Sequence, residues 1–228
     1  MKNSIKILLG ISIAIFIHVI AIVMGKIIKL DTDILPYSFI THSTILILSA
    51  IAIKIFVKDI SFNFSIPNFR KIFRPFLVGL GVTIVVNIVL TLSLKLMGHD
   101  PEIHPAFLQM TSFQVFAFIF IYASISEEML YRGFLLNFIK SLISGSVSIF
   151  RRKISYAVII SGIMFGLSHS VLLLGDVSHF FVAKTVIFTM ILGVVAGYYQ
   201  EKNNNTLFAI LVHMGGNFMG VIAVLIMS

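Results

Sequence analysis

Residues 113–132 read FQVFAFIFIYASISEEMLYR, an apolar run from Phe113 to Ile125 that ends by delivering Glu127, Glu128 and Arg132. At the middle of a membrane helix each such residue costs about 2.5–3.5 kcal/mol on insertion scales, so two carboxylates and a guanidinium within six residues mark a functional site. The rest of the chain puts that run in a bilayer. Of 228 residues 58% are hydrophobic and only 11% charged, with a mean hydropathy of +1.06. Apolar stretches of about 20 residues recur, each long enough to cross about 30 Å of hydrocarbon. A soluble globular reading is excluded. There is no cysteine, which removes disulfides, thiolate metal sites and a cysteine nucleophile and leaves Glu, His, Asn and Ser to do any chemistry.

The pattern predicts an all-α, polytopic transmembrane helical bundle of seven spans at about 5–25, 38–57, 76–97, 113–143, 154–174, 178–200 and 206–227. The first has Lys2 and Lys6 ahead of it, like a signal peptide, but its length and the absence of a small-residue cleavage site fit a retained helix. Residues 58–75 are too polar to cross. There Phe62, Phe64, Ile66, Phe69, Ile72 and Phe73 interleave with Lys58, Arg70, Lys71 and Arg74, an interfacial segment suited to anionic headgroups. With the N-terminus cytoplasmic, the inner segments hold Lys2, Lys6, Lys54, Lys58, Arg70, Lys71, Arg74, Lys140, Arg151, Arg152, Lys153 and Lys202, against Lys26, Lys29 and Lys95 outside. Twelve against three sets that orientation, and the net charge of +8 reads as membrane topology with no nucleic-acid partner. The chain divides at residue 112, into N-terminal helices (1–112) and a core (113–228) that holds the buried polar groups. Arg132 and Lys184 are the cations left inside spans, and Lys184 is expected to snorkel or pair.

Three spans supply candidate partners. Span four offers Glu127, Glu128 and Arg132. Span five ends in Phe165-Gly-Leu-Ser168-His169, and span seven holds His213-Met-Gly-Gly-Asn217. Glu128 and Arg132 are four apart on one helical face in the acid-before-base order that favours pairing, while Glu127 is turned away by about 100°. One carboxylate is thus neutralised and the other left free. His213 and Asn217, also four apart, project together, and Gly215 and Gly216 between them allow a backbone or a substrate to come close. A lone membrane Glu–Arg pair is an ordinary clamp between helices, and a lone membrane histidine an ordinary interhelical hydrogen-bonder. His18, His42, His99, His104 and His179 are assigned to that second class. An extra Glu, a His on a second helix and a His with an Asn on a third together make the parts of a hydrolytic site.

These motifs resemble the CAAX prenyl protease and bacteriocin-processing (CPBP, or Abi) intramembrane proteases, which carry E-E-x-x-x-R, F-x-x-x-H and H-x-x-x-N on three core helices. Here they read Glu127-Glu128-Met-Leu-Tyr-Arg132, Phe165-Gly-Leu-Ser-His169 and His213-Met-Gly-Gly-Asn217, in order, within about 113–220; Gly133 and Phe134 after the arginine also fit. Spans one to three carry no motif. The resemblance implies an intramembrane endopeptidase in which Glu127 is the general base that activates water, His169 assists it, His213 and Asn217 stabilise the oxyanion, and Glu128 with Arg132 supports them. The chemistry is consistent, because a carboxylate in a dry cavity can take a proton from water and return it to the leaving amine, and donors aimed at a developing oxyanion are worth about 3 kcal/mol each.

No cofactor is expected, but zinc stays open: Glu127, His169 and His213 could supply three ligands, with water in the fourth position. There is no H-E-x-x-H; Gly166-Leu-Ser168-His169 lacks the second glycine of the rhomboid G-x-S-G; and Gly175-Asp176 alone does not make the presenilin pair of motifs. The alternative function is a non-catalytic membrane scaffold or bacteriocin self-immunity protein of the same fold. An ion-coupled transporter would show inverted repeats or broken helix pairs, and neither is evident. The Ile-, Lys- and Asn-rich composition suggests a bacterial plasma membrane, where membrane lipid and a hydrophobic or amphipathic peptide, as in bacteriocin processing, are the expected partners. Counted at about 1.5 Å per residue, His213 lies about 10 Å and His169 about 22 Å from the inner ends of their spans. The two are therefore expected to meet only if span five begins at or before Arg151, with the site in the cytoplasmic half.

Overall fold

The computed structural model describes residues 3–30, 32–57, 63–149 and 151–227. Seven helices in it are long and apolar enough to cross a membrane: α1 Asn3–Ile27, α2 Phe39–Phe56, α3 Phe69–Leu96, α4 Ser112–Lys140, α5 Tyr156–Leu174, α6 His179–Asn203 and α7 Thr206–Met227. The expected spans are all present, with two revisions. α3 starts at Phe69, seven residues before the expected start of the third span, because Phe69-Arg-Lys-Ile-Phe-Arg-Pro75 continues helically into the span. Pro75 is the seventh residue of this helix and lies inside it, where its missing N–H leaves the Lys71 carbonyl without the usual backbone donor. Arg70, Lys71 and Arg74 thus belong to a span's first turns, while Lys58 and Phe62 lie outside the described residues. The second revision concerns the stretch ahead of span five. It is an antiparallel hairpin, Ser146–Ile149 with Arg152–Ser155, pairing Ser146 with Ser155 and Ile149 with Arg152. Arg151 adopts a left-handed conformation at its tip (φ 63°), and Ser155 then caps α5 by accepting from the Val158 N–H at 3.1 Å.

Small residues set the packing. Gly162 and Gly166 of α5 face Val194 and Met190 of α6, whose own Gly193 and Gly197 face back onto Phe165 and Val158. In a membrane, where apolar surface gains little by leaving lipid, such close backbone approach is what holds helices together. α3 and α7 pack the same way, since a Cβ on Gly79 would run into the Val212 carbonyl and one on Gly215 into that of Phe76. Gly216 faces Leu192 of α6. The glycines around His213 therefore admit neighbouring helices.

α4 is not uniformly α-helical. Val115–Ala123 and Met129–Leu136 have the wider π-helical winding, and a single α-helical turn, Ser124–Glu128, lies between them. A capping box starts the helix: Thr111 accepts from the Gln114 N–H while the Gln114 side chain accepts from that of Thr111. The Gln114 amide also donates to the carbonyls of Asp33 and Ile34. The two π stretches bracket the two glutamates, and π segments are frequent at functional sites.

Candidate active site

Glu128 and Arg132 form the expected pair, Arg132 Nη1 donating to Glu128 Oε1 at 2.9 Å with both side chains fully buried. The guanidinium carbon lies 4.8 Å over the ring of Phe165, and its Nη2 fills the space left by Gly193. Arg132 Nε and Nη2 and Glu128 Oε2 have no hydrogen-bond partner among the described residues. Removing either partner would strand a charge where water cannot reach it.

His213 joins this pair to Glu127. Its Nδ1 lies 2.9 Å from Glu128 Oε1 and its Nε2 3.8 Å from Glu127 Oε2. A carboxylate can only accept, so Nδ1 carries the hydrogen and Nε2 faces the second glutamate. The two glutamates, though turned apart on the helix, thus address opposite edges of one imidazole. They differ in access: Glu128 is sealed, whereas the Glu127 side chain keeps 15% of its surface exposed. Of the two carboxylates, only Glu127 can touch a water molecule.

Glu127 is not the free carboxylate expected from the sequence. His42 of α2, assigned above to ordinary interhelical bonding, puts Nε2 3.4 Å from Glu127 Oε1. Its Nδ1 donates to the Ser38 carbonyl at 2.9 Å. Glu127, Glu128 and Arg132 sum to one negative charge, so one further proton shared among Glu127, His42 and His213 makes the buried cluster neutral, the condition a low-dielectric interior favours. His18 of α1, hydrogen-bonded at 3.5 Å to Tyr131, and His104, in the connection between α3 and α4, also lie within electrostatic reach of Glu127 and His169. The sequence pattern did not single these histidines out, because the contacts that draw His42 and His18 to the site, Glu127 and Tyr131, are remote in the chain.

His169 stands where α5 tightens from an α-helix (Tyr156–Ser168) to a 3₁₀ turn (His169–Leu174). Its Nδ1 donates to the Phe165 carbonyl at 3.0 Å, which leaves the Nε2 lone pair of the neutral ring able to accept a proton. No additional helix closes the offset from His213, contrary to the expectation that span five begins at or before Arg151. Phe165 spans it instead, its ring 5.1 Å from that of His169 and 5.3 Å from that of His213. The phenylalanine of F-x-x-x-H is therefore a buried spacer shared by Arg132, His169 and His213. Asn217 donates both amide hydrogens, to the Ile119 carbonyl and to Ser124 Oγ, each at 3.1 Å. Ser124 itself donates to Phe120 O, which fixes the direction of that second bond. Elsewhere, Lys184 pairs with Thr91 Oγ1 at 2.9 Å.

Among the described residues no group of three or more His, Asp or Glu side chains is disposed to hold one metal ion. His213 Nδ1 turned to Glu128 and His169 Nδ1 to a carbonyl leave both Nε2 atoms open, the arrangement a metal-ligating histidine uses, so zinc at Glu127, His169 and His213 stays an open alternative.

Comparison with curated proteins and with solved structures gives no match. Residues 109–219 match a family model, the type II CAAX prenyl endopeptidase Rce1-like family. That interval contains Glu127, Glu128, Arg132, His169, His213 and Asn217 and stops short of α1–α3. The part of the chain that builds this cluster from α4, α5 and α7 is thus the part similar to the Rce1-like family, in line with the resemblance of the three motifs.

Proposed function

We propose that the protein is an intramembrane endopeptidase that hydrolyses a peptide bond in a membrane-associated peptide or protein. The observation that carries this reading is the asymmetry of the two glutamates: Glu128 is locked with Arg132, while Glu127 is partly exposed between two imidazole Nε2 atoms. In the proposed reaction Glu127, assisted by the free Nε2 of His169, takes a proton from water as the oxygen attacks the scissile carbonyl. The tetrahedral oxyanion is met by the Asn217 amide and by His213 Nε2–H, onto which the cluster's shared proton moves from the His42–Glu127 contact as Glu127 takes up the proton of water. Glu127 then gives its proton to the departing amine. Serving the oxyanion requires Asn217 to release one of its present acceptors, and Ser124 Oγ is the weaker of the two. Residues 63–74, 140–149, 151–155 and 198–206 share one basic end of the bundle, tied by Thr206 to Asn63, Asn205 to Ser65, Lys140 to Glu201 and Arg152 over Tyr198. With exposed Ile66, Phe69 and Phe73, this end suits a hydrophobic or amphipathic peptide lying on anionic lipid, in a bacterial plasma membrane.

The test is cleavage of quenched-fluorescent apolar and amphipathic peptides by the purified protein in liposomes, with and without a strong chelator. Cleavage that survives chelation is expected. Peptide binding without cleavage would favour the scaffold or immunity alternative, and activity lost to chelator and restored by zinc would replace the glutamate mechanism. Within an active enzyme, Asn217→Ala should lower kcat by about 10²–10³ with little change in KM if the amide serves the oxyanion. A loss of stability with kcat intact would instead leave Asn217 as a tie between α7 and the π stretch of α4.

A further inference from the structure

We propose that His42 is a positioning residue for Glu127, supplied by α2, outside the matched domain. A glutamate has three rotatable side-chain torsions, and one that is partly exposed holds no single orientation unless a neighbour fixes it; a site left to chance in this way loses its precision. His42 is built to fix it. The ring is buried, and its orientation and tautomer are set by the Nδ1–H bond to Ser38 O at 2.9 Å, which directs Nε2 at Glu127 Oε1, 3.4 Å away. The hydrogen on Nδ1 being occupied, the contact at Nε2 holds a proton between imidazole and carboxylate and draws on the Oε1 edge alone. Oε2 is left toward His213 and the substrate side.

The same turn of α2 is fastened to α4 close to Glu127. Ser43 Oγ and Tyr122 OH are 2.9 Å apart, and Phe39 stacks on Tyr122 with ring centroids 5.5 Å apart and meets Phe118 edge-on at 5.8 Å. Tyr122 and Phe118 lie in the π-helical stretch just before the glutamates. A helix whose only task was to fill space would need neither the polar tie nor a histidine aimed at a carboxylate. The arrangement applies to Glu127 the orienting logic by which a third group aligns an acid–base pair in hydrolases.

This inference rests on Glu127 being the base, and its test separates the two. Histidine ¹⁵N NMR of the full chain in micelles, with the His42 signals assigned from their loss in His42→Gln, reports the contact without any substrate. Glu127→Gln should shift the His42 Nε2 resonance and leave that of His99 in place; an unshifted His42 overturns the proposal whether or not the protein cleaves anything. In the cleavage assay, His42→Ala should lower kcat by about 10–100-fold, as loss of an orienting partner does, with KM within about threefold. His42→Gln, which keeps an N–H donor toward Oε1, should recover most of that loss, while His42→Phe, which keeps only bulk, should not. Full activity in His42→Ala, or equal loss in all three folded variants, would make His42 structural only. Wild-type protein that shifts as expected but cleaves nothing would sink the endopeptidase reading and leave the His42–Glu127 contact standing.

Discussion

The two halves of the molecule meet lipid and each other in opposite ways. In α4 and α7, 44% and 50% of the apolar span is buried, against 17% in α2 and 11% in α3. α4, α5 and α7 carry every motif, all within the matched interval 109–219, whereas α1–α3 carry none and turn Phe16, Ile47, Ile51, Val85 and Leu92 outward. Yet the peripheral half is not a passive wrapper. α2 contributes His42 to Glu127, α1 contributes His18 to Tyr131, and α3 presses its backbone onto that of α7 beside His213. The buried half concentrates its chemistry at local spacings, and the peripheral half adds single residues whose partners are remote in sequence.

If chemistry resides in the buried half, the largest effect should follow from a change there that removes no packing. Glu127→Gln is expected to lower cleavage by about 10⁴-fold, the upper end for loss of a general base, with wild-type yield and melting temperature. Turnover within tenfold of wild type would break the comparison at its centre.

Arg132→Ala should act on both activity and fold. Its partner Glu128 is wholly buried and already has one oxygen without a hydrogen bond, so removing the guanidinium leaves an uncompensated charge and costs about 3–5 kcal/mol. The thermal midpoint in detergent should drop steeply, and Glu128→Gln combined with Arg132→Ala should restore part of it. A fully stable but inactive single variant would mean that Arg132 acts on substrate.

How much of this was legible follows from where partners sit in the chain. Glu128 with Arg132 was readable because four residues bring them to one helical face, and the seven spans because apolar runs of membrane length need no tertiary information. The start of α3 at Phe69 was misjudged because polarity was taken as the end of helix, although basic residues at a helix end extend to the interface without breaking it. The hairpin of 146–155 was missed because two four-residue strands give too short an alternation to distinguish from loop. The resemblance implied that Asn217 serves the oxyanion and its spacing put it on one face with His213, but neither discloses that Ile119 and Ser124 compete for its hydrogens.

A glycine pair on α3 sharpens the claim that the peripheral half supports the site through backbone contact. Gly79→Ala drives a methyl into the Val212 carbonyl, next to His213, while at Gly81 the same methyl meets nothing within 4 Å. The first should destabilise by about 1–3 kcal/mol and lower kcat by displacing α7. The second should be neutral or stabilise by about 0.4–1 kcal/mol, since alanine restricts the unfolded chain more than glycine does. Equal behaviour of the two would mean that the α3–α7 approach is not tight in the membrane.

The smallest effect concerns His104, in the connection between the halves. Its Nδ1 accepts the Ala106 N–H at 3.2 Å and so caps the short helix Pro105–Gln109, and its ring lies against Phe107 and Phe181. Burial there pushes its pKa down to about 4, with repulsion from His169 adding and the attraction of Glu127 opposing. In the unfolded chain an ordinary histidine titrates near 6.5. Between these values the unfolded state takes up a proton that the folded state refuses, so stability is undiminished above about pH 6.5, falls on acidification and levels off below about pH 4. Protonation would also remove the lone pair that caps the helix. His104→Asn keeps an acceptor suited to the cap and has nothing to titrate. Its melting temperature should match wild type at pH 7.5 and exceed it increasingly down to pH 4.5, the other histidines being common to both proteins. Parallel curves over that range would show that His104 is hydrated and free to charge, and that the connection does not seal the site at this point.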